Sequence, residues 1–188
     1  MKTITGILLA FALAVLTSCV GEPGPPGPPG EDGDSFLGSV FEIEGDFTSS
    51  NDYSLFFEFP NTIEVFESDV VLVYILWDQT EDNSGQPVDI WRLIPQSVVF
   101  NNDDILQYNY DHTFFDVEIF LDGTVDFEAL PSEYVNEQIF RIAILPADYA
   151  MSNNLDVSDF GSVIQALKIN PGKIDKFNVI QEQLLKME

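Results

Sequence analysis

Three observations predict a mainly β fold, an antiparallel β-sandwich or partly open barrel with one or two C-terminal helices. From residue 36 onward, short runs rich in Val, Ile, Phe and Tyr recur between clusters of Asn, Asp and Gly. Within one run, Phe115-Asp116-Val117-Glu118-Ile119, apolar and acidic residues alternate at the period of a strand with one packed face. Only after residue 150 does the apolar spacing change to three and four, the period of a helix.

The strand-like runs fall at residues 36–43, 53–59, 69–77, 90–100, 105–110, 113–121, 124–127 and 138–145. Such short strands, spaced by turn residues, suit two packed antiparallel sheets or an open barrel. Val70 to Trp77 contains no charged residue, which places it centrally in a sheet with both faces covered. Asp122-Gly123 reads as a hairpin turn joining a strand that ends at Leu121 to one that starts at Thr124, because both residues tolerate positive φ. Asp156, with Asp159 three residues on, reads as a capped helix start before Phe160, Val163, Ile164 and Leu167. Asn170-Pro171-Gly172 interrupts that helix. Ile174, Phe177, Ile180, Leu184 and Leu185 then make a second helical stripe. It either folds back on the domain or offers Phe177, Ile180, Leu184 and Leu185 to a partner.

Charge narrows the partners. The chain has 32 acidic residues against 7 lysines and arginines. Between residues 31 and 165 the only bases besides His112 are Arg92 and Arg141. Such a surface repels phosphate backbones, which excludes nucleic acid, and it disfavours lying flat on anionic lipid. From Lys168 onward four lysines face Asp175, Glu182 and Glu188, so the C-terminal segment is the least acidic part.

Little catalytic chemistry is legible. The single histidine, His112, lies between Asp111 and Thr113 with no nucleophile motif to serve it, and the single cysteine is Cys19. No cofactor is expected. Weak calcium candidates are Asp78, Glu81, Asp82 and Asn83 in one polar stretch and Asn101, Asp103 and Asp104 in another, since carboxylate and amide oxygens suit that ion. No twelve-residue calcium loop accompanies them. Tyr108, Tyr110 and Trp91 are the aromatics considered for a glycan or peptide surface. Paired carboxylates for glycosidic cleavage are compatible with so acidic a chain, but no pair stands out.

The N-terminal region carries the sharpest motifs. Met1-Lys2-Thr3 is followed by an apolar run from Ile4 to Leu16 and then Thr17-Ser18-Cys19. This is the layout of a secretory signal. Leu16-Thr17-Ser18-Cys19 resembles the lipobox of bacterial lipoprotein signals, which implies diacylglyceryl transfer to Cys19 and cleavage before it. Then Gly21, Gly24, Gly27, Gly30 and Gly33 recur at strict period three, with five prolines in the first three triplets. That pattern resembles the collagen-like repeats of bacterial surface proteins. Five triplets offer few interchain contacts, so the segment reads as a spacer, whose fifteen residues reach roughly 45 Å if extended.

Together these segments resemble small collagen-like lipoproteins of the Bacteroidota cell envelope. The organisation expected is a signal at 1–18, a lipidated cysteine and spacer at 19–35, a β-rich domain at 36–150 and a helical segment at 151–188. The resemblance implies a protein held on the outer membrane by acylated Cys19, at the periplasmic face or the cell surface. The function expected is a non-catalytic envelope protein, an accessory or interaction subunit with an envelope protein partner. A surface module for carbohydrate binding or calcium-dependent adhesion is the alternative, and a carboxylate-based hydrolase ranks third.

Overall fold

The structure is a computed structural model that describes residues 38–101 and 103–179. Cys19, the repeat glycines Gly21, Gly24, Gly27, Gly30 and Gly33, and Ile180, Leu184 and Leu185 lie outside the described residues.

Two unclosed sheets pack face to face. The first has five strands in the order β4-β3-β8-β1-β9, comprising Pro87–Leu93, Asp69–Glu81, Gln138–Pro146, Ser39–Gly45 and Asp175–Asn178. The second has four in the order β2-β7-β6-β5, comprising Ser54–Glu58, Asp116–Gly123, Ile105–His112 and Gln96–Val99. All pairings are antiparallel except β1 with β9. The fold is therefore a mainly β sandwich, and two helices follow β8: α1, Ala147–Ser152, and α2, Phe160–Leu167.

Strand β3 shows why the sequence folds this way. Val71, Val73 and Ile75 point into the core shared with the second sheet, beside Phe41, Phe57, Ile119 and Phe140. Leu72 and Tyr74 point outward and are covered by Phe160, Val163, Ile164 and Leu167 of α2. An uninterrupted apolar strand is thus covered on both faces. Burying the four α2 side chains contributes on the order of 6–12 kcal/mol before the entropy of ordering them is subtracted. Asp159 caps α2, its carboxylate accepting from the amides of Gly161 and Ser162. Asp156, the expected cap, instead closes a turn with Ser158, so the helix starts three residues later than its first acid suggests.

Three other elements depart from the sequence reading. The run at 90–100 is two strands separated by Ile94-Pro95, because proline supplies no ladder donor, and the chain crosses there from one sheet to the other. Asp122-Gly123 is no hairpin turn: both residues continue β7, opposite Gln107 and Leu106. Gly123 is needed for close approach, since its φ is 139° and a Cβ there would lie 2.0 Å from the Ile105 carbonyl oxygen. The chain after it forms no strand at 124–127 but hydrogen-bonds to Ile105 and enters a 3-10 turn at Phe127–Ala129. Finally, Ile174 and Phe177 do not begin a helix. Ile174 is buried beneath α2, and Phe177 lies in β9 against Phe41 and Phe57, so this part of the supposed docking stripe belongs to the domain's own packing.

A row of charge crosses the outer face of the five-stranded sheet. Register places Tyr74, Arg141, Glu42 and Lys176 side by side on β3, β8, β1 and β9. Arg141 and Glu42 are buried, with Arg141 Nε and Nη2 each 2.9 Å from Glu42 Oε2. Lys176 Nζ pairs with the other carboxylate oxygen. The Arg141 guanidinium also lies 4.0 Å from the Trp91 ring centroid and 5.1 Å from that of Phe160.

Candidate functional site

The antiparallel register gives the sandwich two distinct ends. Ser39 pairs with Ile144 and Asp69 with Pro146 at one end, while Gly45 pairs with Gln138 and Ile75 with Phe140 toward the other. The first is the end at which the described chain begins.

At this first end Phe66, Phe114 and Phe115 are exposed, between 43% and 64%. The β6–β7 turn presents two of them in a fixed way: Thr113 Oγ1 accepts from the Phe115 amide and donates to Asp116, and the Phe115 carbonyl accepts from the Phe59 amide. The Phe114 and Phe115 ring centroids are 4.0 Å apart. Phe66 comes from the segment leading into β3, where Asp69 accepts from its amide. Two adjoining concavities of about 650 and 270 Å³ run along these rings and share Val65 and Phe114. Their rims carry Glu58, Glu64, Glu67, Asp69 and Asp116, with His112 alongside.

At the far end a cleft of about 390 Å³ opens between the sheets. Its cause is local. The β3–β8 ladder runs only to Ile75 and Phe140, and at the next step β3 bulges against β4, with Trp77 left unpaired between Leu76 and Asp78. The bulge re-aims Trp77 and the two strands part. Ile75 and Tyr108 lie in the cleft, and Trp77, Val98, Glu133, Tyr134, Glu137 and Gln138 line it further. The segment carrying Glu133 and Tyr134 is anchored from several sides: the Tyr108 hydroxyl donates to the Tyr134 carbonyl, the Phe47 amide to the Val135 carbonyl, and the Gln138 side chain to the carbonyls of Glu133 and Asn136. Burial and the neighbouring, hydrogen-bonded Glu133 carboxylate push the Tyr134 phenol above its usual range.

Of the residues singled out from the sequence, Tyr108 lies in the cleft and His112 beside the phenylalanine end, and the others lie elsewhere. Asp78, Glu81, Asp82 and Asn83 are on the β3–β4 hairpin, and Asn101, Asp103 and Asp104 are at the β5–β6 turn. Among the described residues no group of three or more His, Cys, Asp or Glu side chains is arranged to hold a metal ion. Asp82 is occupied in closing its own turn: it accepts from the amides of Gln86 and then Ser84, which hold its carboxyl below the usual range. Tyr108 is not exposed but a core residue. Tyr110 is half-buried and donates to the Val71 carbonyl, and Trp91 lies against Arg141. His112 is exposed at the end of β6 and stacks on Tyr110. The phenylalanine end was not singled out from the sequence, and of the cleft only Tyr108 was. The doublet Phe114-Phe115, two adjacent aromatics at the head of an alternating acidic run, is the signal that could have found the phenylalanine end.

Comparison of the chain with family models, curated proteins and solved structures finds no match. Fold class and surface chemistry therefore carry the functional argument.

Proposed function

We propose that this protein is a non-catalytic, lipid-anchored subunit of the outer membrane envelope that docks another envelope protein through its phenylalanine end. The observation that supports it is the exposed Phe66–Phe114–Phe115 surface, held outward by a hydrogen-bonded turn rather than folded into the core. Exposed aromatic clusters with polar rims are characteristic of protein contact surfaces. The rim selects the occupant. Five carboxylates around the rings repel lipid phosphates, and a second copy of the chain would bring two acidic rims together. The complementary partner presents apolar side chains ringed by lysine or arginine. Attachment through Cys19 is the second part of the reading and rests on the lipobox-like residues 16–19.

The test has two arms. Metabolic labelling with a fatty acid marks the wild type and spares Cys19→Ser; equal labelling of both overturns the anchor. Cross-linking in intact cells, followed by purification from membranes, yields an envelope protein adduct that is lost both in Phe66→Ser/Phe114→Ser/Phe115→Ser and in Glu64→Lys/Glu67→Lys. An adduct pattern unchanged in the triple serine variant overturns the docking surface.

A further inference from the structure

We propose that the far-end cleft binds a neutral saccharide, one sugar ring lying against Trp77 and Tyr134 with its hydroxyl edge on Glu133 and Glu137. The inference is independent of the docking role, because it concerns the opposite end of the sandwich.

The cleft has the size and make-up of a small-molecule site: about 390 Å³, mostly apolar and aromatic, with a few polar groups at its rim. It is largely pre-formed. A bulge fixes Trp77, and the anchored segment fixes Tyr134 and Glu133, so little ordering accompanies binding. Ligand charge can be worked out by elimination. An anion meets Glu133, Glu137 and a chain of formal net charge −25. A cation is drawn to the two carboxylates but finds the indole already engaged by a guanidinium, since Arg92 lies 4.3 Å from the Trp77 ring centroid, and it leaves the apolar walls without a partner. A neutral ring with one apolar face and a hydroxylated edge suits both parts of the site. Its C–H face packs on the aromatic walls, while its hydroxyls donate to carboxylates that are strong acceptors.

The two tryptophans make the test direct. In the full chain in detergent micelles, a 1H–15N spectrum shows two indole N–H signals, and Trp91→Phe assigns them. Chitotriose, maltotriose, mannotriose and cellotriose are titrated alongside trigalacturonate and spermidine. The expected result is a saturable shift of the Trp77 signal with at least one neutral trisaccharide and no shift of the Trp91 signal. Binding should weaken about tenfold or more in Glu133→Gln/Glu137→Gln, where charge-assisted bonds become neutral ones, and stay unchanged in Phe115→Ser. Both glutamates are exposed, so the double variant keeps the wild-type fold, read as unchanged dispersion of signals away from the cleft. The proposal is overturned if no neutral trisaccharide shifts Trp77, if trigalacturonate or spermidine binds tighter than all of them, or if the double variant binds like the wild type.

Discussion

Replacing Glu42 by Gln isolates the energetics of the charged row on the outer face of the five-stranded sheet. Arg141 would remain charged with only 10% of its side chain exposed, facing an amide in place of a carboxylate. Removing one partner of a buried pair costs about 3–5 kcal/mol, because the survivor stays desolvated. The rings of Trp91 and Phe160 remain in place and offset about 1 kcal/mol of this. Lys176 is 70% exposed and returns to water at little cost. The expected loss is therefore about 2–4 kcal/mol. For a domain of about 150 residues, 1 kcal/mol corresponds to about 3 °C, which puts the drop in Tm at roughly 6–12 °C. Glu42→Met/Arg141→Met removes both charges and should melt within a few degrees of the wild type, since apolar replacement of a buried pair is close to neutral. Thermal melts followed by circular dichroism measure all of these. A Glu42→Gln variant melting within about 2 °C of wild type, or a double variant as unstable as the sum of its single variants, would refute the reasoning.

Two further substitutions probe backbone and cap. Gly123→Ala places a Cβ 2.0 Å from the Ile105 carbonyl oxygen at a φ of 139°, and should destabilise the domain by more than about 2 kcal/mol, read as an earlier urea midpoint with an unchanged slope. Asp159→Ala removes the α2 cap and should cost about 1 kcal/mol. The Ser162 hydroxyl and then the Gly161 amide hold the Asp159 carboxyl below its usual range, so its charge stabilises the fold above the unfolded-state value and that contribution disappears as pH falls through the folded one. Asp159→Asn keeps a cap acceptor but loses the titration, and should flatten the acid limb of a stability-versus-pH curve below about pH 5.

The sandwich was legible because its strands are governed by local pattern. The alternation from Asp116 to Ile119 and the unbroken run from Val70 to Trp77 each report which faces are covered, and β7 and β3 obey them, whereas Phe115, which continues the alternation in sequence, precedes β7 and is exposed. What escaped depends on long-range pairing. Asp122-Gly123 has the composition of a turn, yet the requirement it meets is clearance for the Ile105 carbonyl across the ladder. Asp175 to Asn178 contains one apolar residue and no alternation to set against a helical stripe, and only its parallel partner β1 makes it a strand. The Trp77–Tyr134 cleft joins residues 57 positions apart, and nothing in either local sequence states that β3 and β8 diverge there.

The polarity of the sandwich leads to a prediction about reach. The described chain begins at the phenylalanine end, and β1 then runs seven residues toward the cleft end, a rise of about 23 Å. The proposed tether, made of the residues that precede Gly38, joins the domain at its phenylalanine end. On the proposed reading, a spacer of roughly 45 Å sets how far from the bilayer the phenylalanine end can meet its partner. Deleting residues 24–32 removes three triplets and shortens that reach by about 28 Å. The deletion should sharply reduce the cross-linked adduct at the phenylalanine end, whereas a proline-rich, glycine-free replacement of equal length should restore it. Saccharide titration of the Trp77 signal should be the same in all three proteins, because the cleft's geometry owes nothing to the spacer. An adduct that survives the deletion at wild-type yield would mean that the partner sits within reach of an unextended tether, and the spacer's length would then have no part in docking. An adduct lost equally in the length-matched replacement would instead make the glycine repeat itself the requirement, and stiffness and reach would be the wrong account of that segment.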